Sequence, residues 1–125
     1  MEAFKKRNEK LAAYYNNMHP WEGQDFHGEI LTSEAGADMA GLKVVLQIVK
    51  NKKNFDYDKF FHAVCDVWLR KASLQNSYQQ IENEHPMAYL RINCTLQQYD
   101  EFLDFYDIKE GDGMYLAPED RVNIW

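Results

Sequence analysis

Apolar residues recur at three- and four-residue spacing in four segments of this chain, and no stretch alternates convincingly in steps of two. That spacing marks one face of an α-helix, so the pattern predicts an all-α fold. The first segment runs from about Glu2 to Asn17, with Phe4, Leu11 and Tyr15 on one side and K-K-R-N-E-K solvated. A loop punctuated by Pro20, Gly23 and Gly28 follows. A second helix is expected to begin near Ser33 as its cap, to carry Leu42, Val45, Leu46 and Val49, and to end in the basic K-N-K-K. The third starts near Asp56 or Asp58 and presents Phe60, Phe61, Val64, Val67 and Trp68. The polar stretch S-L-Q-N-S-Y-Q-Q-I-E-N-E separates it from H-P-M-A-Y-L-R. The last long helix is expected from Thr95, where T-L-Q-Q reads as a capping box, with Leu96, Tyr99, Phe102, Leu103 and Tyr106 on its apolar face. Pro118 opens one short turn near the end. The expectation is a single domain over residues 1–125, with about four main helices plus short turns.

Composition limits the partners. A chain of 125 residues supports one moderate core, and three Trp, eight Tyr and seven Phe make that core rich in rings. A net charge of −6 argues against a nucleic-acid partner, because phosphate contacts need basic surface. No run approaches the roughly 20 apolar residues of a membrane helix. The start, M-E-A-F-K-K-R-N-E-K, has no apolar signal core, and Cys65 and Cys94 make neither a disulfide framework nor a metal motif. Both features favour a cytoplasmic chain. Cys65, within H-A-V-C-D-V-W, reads as a buried thiol.

Chemistry concentrates in two places. In S-E-A-G-A-D-M-A-G-L, Glu34 and Asp38 lie one helical turn apart among small residues. A carboxylate on a helix can bind metal, and a second acid one turn on can orient a ligand histidine. The plainer reading is a solvated acidic helix start, favoured by the helix dipole. The small neighbours set against it imply close packing on another element. His85 and Arg91 form a second candidate pair, able to donate to an oxyanion and to grip a carbonyl or carboxylate. A surface histidine and an arginine paired with an acid fit the spacing equally. His27 and Glu29, with Glu34, could form a self-contained metal site, though loop histidines are mostly incidental; His62 reads as a partly buried structural histidine.

Taken in order, these motifs resemble the neprilysin-like zinc metallopeptidases, the family of neprilysin, endothelin-converting enzyme and their bacterial relatives. Glu34 to Leu42 is similar to the family's G-E-N-I-A-D-x-G-G-L; Val67-Trp68 to its V-W; His85 to Arg91 to its H-S-P-x-x-x-R. Cys94-Thr95-Leu96 through Glu101-Phe102 is similar to G-T-L-x-N-x-x-E-F, and the family's closing tryptophan has its counterpart in Trp125. The resemblance implies the C-terminal helical part of a thermolysin-like catalytic domain. It implies Glu34 as third protein ligand of a catalytic zinc and Asp38 as acceptor from a ligand histidine. It further implies His85 as stabiliser of the tetrahedral intermediate, Arg91 as holder of substrate backbone, and Val67 with Trp68 as pocket lining. Small residues on that helix would then let it approach the zinc-binding helix.

The departures are specific. Ala35-Gly36 stands for the family's N-I, Ala40 for its first glycine after the aspartate, and Pro86 follows His85 directly. Val122 stands where animal enzymes have a disulfide cysteine, and the two cysteines here fit bacterial relatives better. The H-E-x-x-H helix and the asparagine-containing substrate strand lie upstream in the family, before this chain begins. The expectation is a piece of a zinc endopeptidase acting on peptides, inactive and without tightly held zinc until joined to its N-terminal remainder, and self-associating through the face left bare. The alternative is a non-catalytic helical interaction module on the same scaffold.

Overall fold

The computed structural model describes residues 1–123, so Trp125 lies outside the described residues. Its elements are α1 (Glu2–Asn16), α2 (Gly28–Val49), α3 (Tyr57–Trp68), α4 (Leu74–Ile81), α5 (Ala88–Leu96) and α6 (Asp100–Phe105). Among the described residues the only extended pairing is an isolated bridge between Trp21 and Gln24. The class is all-α, as the periodicity requires. Among the described residues no helix is long and apolar enough to cross a membrane.

The chain divides into two compact units, with α2 contributing to both. The first comprises Met1–Ala37 and Lys71–Met87 with the chain end from Val122. Leu11, Ala12, Tyr15, Phe26, Leu31, Ala35 and Ile81 are buried in it. Phe4, expected beside Leu11, is exposed. Here α1 and α2 meet backbone to backbone: a Cβ on Gly28 would lie 2.0 Å from the Ala12 carbonyl oxygen. Asn16 closes the junction, its Oδ1 accepting from the Gly28 N–H at 2.6 Å and its Nδ2 donating to Glu29 at 3.1 Å. This explains why α2 starts at Gly28 and not at Ser33. The orphan amide at the helix start is satisfied by a side chain twelve positions upstream, so no local capping residue is needed. With that start, the buried stripe runs Leu31, Ala35, Met39, Leu42, Leu46 and Val49.

Helix α4 occupies the polar stretch S-L-Q-N-S-Y-Q-Q-I-E-N-E, where the periodicity marks no helix. Ser73 caps it, accepting from the Asn76 N–H at 3.2 Å, and Ile81 anchors it in the core. Trp21 packs edge-on against Tyr78 with ring centroids 4.8 Å apart.

The second unit comprises Asp38–Arg70 and Ala88–Arg121. Its core is Leu42, Leu46, Phe61, Leu96, Phe102 and Leu103. Asp56 caps α3 by accepting from the Lys59 N–H at 2.9 Å. Phe61 stands edge-on to Phe102 at 5.2 Å and near-parallel to Tyr57 at 5.9 Å, within an aromatic cluster that also takes in Phe105 and Tyr106. Thr95 does not cap a helix: it lies buried in the last turn of α5. The chain breaks after Leu96, where the Gln98 amide folds back to donate to the Cys94 carbonyl at 3.0 Å, and Tyr99 becomes extended before the short α6. His62 is exposed, 3.8 Å from Asp58, and Cys65 is only partly buried; both depart from the expected burial because the stripe that packs runs through Phe61 instead. The Pro118 segment forms one turn, closed by Asp120 N–H donating to the Ala117 carbonyl.

Candidate active-site elements

Glu34 and Asp38 project one turn apart from α2, and each meets a different partner. In the first unit, the Glu34 carboxylate lies 3.3 Å from His85 Nε2, with their side chains 35% and 45% exposed respectively. His85 is held from behind by Asn83, whose Oδ1 accepts both the His85 backbone N–H and Nδ1, each at 2.9 Å. A backbone N–H can only donate, so this atom is the amide oxygen and Nδ1 carries a proton. Nε2 is thereby the nitrogen turned to Glu34, and it can donate in that direction once protonated. Sequence reasoning missed Asn83. Its signal was an amide two residues before a histidine, the spacing of an Asx turn.

In the second unit, Arg91 donates from Nε and Nη2 to the two oxygens of Asp38, both at 2.6 Å. The pair is largely shielded, with side chains 13% and 17% exposed. Parallel bidentate bonds in such a setting are the strong form of a salt bridge. The guanidinium lies over the Trp68 ring, its Cζ 3.7 Å from the centroid. These three residues form the polar wall of a cavity of about 230 Å³, whose apolar wall is Leu42, Val45, Phe60, Val64 and Val67. Thr95 also lines it, and its buried hydroxyl has no hydrogen-bond partner among the described residues. Beside the cavity's helix, Tyr99 donates its phenolic proton to the Met39 carbonyl, and burial holds that phenol well above its ordinary range.

The donors fit one arm of a zinc site and no more. A carboxylate and an imidazole are suitable zinc ligands, but a closed site needs more groups than Glu34 and His85. Among the described residues no group of three or more His, Cys, Asp or Glu gathers around a common point. His27 lies 3.7 Å from Glu82, and Glu29 is taken up by Asn16, so His27, Glu29 and Glu34 do not assemble. Its own backbone N–H, and next the Asn16 bond, hold the Glu29 carboxyl below its usual range.

Comparison with known proteins fixes the lineage. A neutral endopeptidase of Lactococcus lactis subsp. cremoris is 33% identical over 125 residues, matching 99% of this chain and 20% of its own length. One from Lactobacillus helveticus is 33% identical over 100 residues, 79% of this chain and 15% of its own. Among solved structures, PepO from Lactobacillus rhamnosis superposes with a TM-score of 0.82 at 26% identity, covering 99% of this chain and 20% of that one. A zinc metalloprotease of Mycobacterium tuberculosis, solved with an inhibitor, gives 0.90 at 22% identity over 99% and 22%. The chain thus spans about a fifth of the length of these relatives. The description "Peptidase family M13" belongs to the family model that matches residues 1–122. With the ordered motifs, the all-α fold of that family's C-terminal helical part and this match in agreement, the chain belongs to peptidase family M13.

Proposed function

We propose that this chain is the C-terminal helical part of a zinc-dependent endopeptidase acting on oligopeptides, and that it contributes one metal ligand together with substrate-positioning groups. The observation that carries the reading is the Asp38–Arg91 pair stacked on Trp68 at the wall of an apolar cavity. A fixed guanidinium beside an apolar recess suits a peptide: the cation meets a backbone carbonyl while a side chain enters the recess.

Glu34 is the residue that would hold the metal, which when bound supplies Lewis-acid activation of water for attack on a peptide carbonyl. The rest is the work of this chain's own side chains. His85, oriented by Asn83, donates from Nε2 to the oxyanion that develops on the attacked carbonyl. Arg91 holds the backbone carbonyl next to the scissile bond. Asp38 keeps lone pairs beyond the two that Arg91 uses, so it can also accept from a ligand histidine supplied by the N-terminal remainder. Val67 and Trp68 bound the recess.

One carboxylate does not retain zinc through dialysis, so the chain alone is inactive. Zinc content after equilibration and exhaustive dialysis tests this: near-zero metal is expected, and stoichiometric metal overturns it. Adding the N-terminal remainder should restore chelator-sensitive peptidase activity, and Glu34→Gln should abolish it.

A second reading, a non-catalytic interaction module, draws on α2, where Ile30, Val44 and Ile48 are 41%, 48% and 61% exposed. An apolar face of this kind packs on something. On the peptidase reading it meets the N-terminal remainder, and the chain alone self-associates. A clean monomer across concentrations in sedimentation would count against that.

A further inference from the structure

The recess explains what Val67 and Trp68 enclose, but it does not explain why the Arg91 guanidinium sits over an indole. We infer that Trp68 is a positioning residue for Arg91, fixing the tilt of its guanidinium while Asp38 fixes its rotation. The inference rests on the proposed substrate role of Arg91 and deepens it.

Two bonds at 2.6 Å to one carboxylate define a direction within the guanidinium plane. They do not stop the paired groups from rocking together about the axis that joins them. The Trp68 face at 3.7 Å from Cζ supplies that missing restraint, because a cation is held over the negative face of the ring and closer approach is blocked by contact. Trp68 is placed to do this by its position at the end of α3, where it is half-buried and shares the recess wall with the more exposed Val67. Arg91 comes from the first turn of α5, and helices α3 and α5 pack together. The three residues therefore come from three helices, and each removes a different freedom of one cation. A group meant to meet a peptide carbonyl gains from such restraint, since the cost of ordering a long side chain is met before substrate arrives.

The test is made on the 125-residue chain by NMR, reading the Arg91 Nε–H signal. Wild type should show contacts from Arg91 side-chain protons to the Trp68 ring, and slow exchange of the Nε–H with water. Trp68→Met keeps most of the volume without the π face. It should speed that exchange by at least about tenfold while backbone amide signals elsewhere in the second unit stay in place. Trp68→Phe restores a ring and should recover most of the protection. Unchanged exchange in Trp68→Met, or no Arg91–Trp68 contact in the wild-type chain, overturns the inference. If Trp68→Met fails to fold, Trp68→Leu against Trp68→Phe gives the same comparison, and the wild-type contacts decide alone if needed. The proposed catalytic role is judged separately: an Arg91→Gln chain that supports full activity with the N-terminal remainder removes that role and leaves the positioning result standing.

Discussion

The two acids of α2 are chemically alike, sit one turn apart and live in different surroundings. Asp38 is shielded, bound through both oxygens and stacked against by an indole at one remove. Glu34 is more open, and the histidine facing it stands at 3.3 Å. The tight arrangement suits a group whose job is orientation. The looser one suits a group that must change partners, because a carboxylate already committed to two short charge-assisted bonds would lose them on taking a metal. The same helix also carries small residues of two kinds: Gly28 touches backbone, whereas nothing lies within 4 Å of a Cβ built on Gly41. Tight and open sites thus alternate along one element.

Asp38→Ala should break the comparison most severely. It leaves a largely buried guanidinium without its carboxylate, and truncating one member of such a pair costs about 3 kcal/mol. Urea denaturation should show that loss. A double change to Asp38→Leu with Arg91→Met should recover much of it, since a matched apolar pair leaves no uncompensated charge. A loss below about 1 kcal/mol for Asp38→Ala would mean that the pair is held by water rather than by its surroundings.

Gly28→Ala and Gly41→Ala come next and should differ in sign. The new methyl at Gly28 would meet the Ala12 carbonyl at 2.0 Å, and helices would have to separate. A loss of about 2 kcal/mol is expected, in the range of overpacked contacts. At Gly41 the methyl meets nothing, and replacing a helical glycine should stabilise the chain by about 0.5–1 kcal/mol. If the N-terminal remainder packs there, the same Gly41→Ala change should weaken its association. Thermal melts of the chain alone and binding to the remainder separate the two effects.

Asn16→Ala is smaller, about 1 kcal/mol, the usual cost of losing a helix cap. It also has a pH signature. Glu29's carboxyl is held low in the folded chain, so its contribution is present above the unfolded carboxylate range and disappears as pH falls through the folded value. Removing Asn16 should raise the Glu29 midpoint toward 4.5 in a side-chain NMR titration. A midpoint unmoved by the change would assign the shift wholly to the backbone bond.

The same contrast governs what was legible in the sequence. Features set by local signals were readable: the Leu11 and Tyr15 stripe of α1, the Asp56 cap of α3, and Leu42, Leu46 and Val49 of α2. The start of α2 was not, because its cap is Asn16, far upstream. Nor was the break after Leu96, which depends on a Gln98 side chain turning back on its own helix. Helix α4 hid behind polarity because a short helix needs few core anchors, and Ile81 supplies one. Chemistry and spacing singled out Glu34, Asp38, His85 and Arg91 but left their roles open, and those roles, with Val67 and Trp68, came from the ordered motifs. Spacing places Glu34 and Asp38 on one face, but it cannot bring Arg91 across 53 positions to Asp38 or set Asn83 behind His85.

Glu34→Gln should have the least effect on the folded chain, and that is its value. The side chain is 35% exposed and its histidine stands at 3.3 Å, so the exchange should change stability by no more than about 0.5 kcal/mol. Glutamine keeps the shape and loses the charge. If Glu34 serves as a metal ligand, this nearly silent substitution should remove chelator-sensitive activity from the rejoined protein while melts of the chain barely move. A loss of stability comparable to that of Asp38→Ala would instead make Glu34 a structural acid. The contrast between the two turns would then reflect packing alone, and the metal would have to find its carboxylate elsewhere.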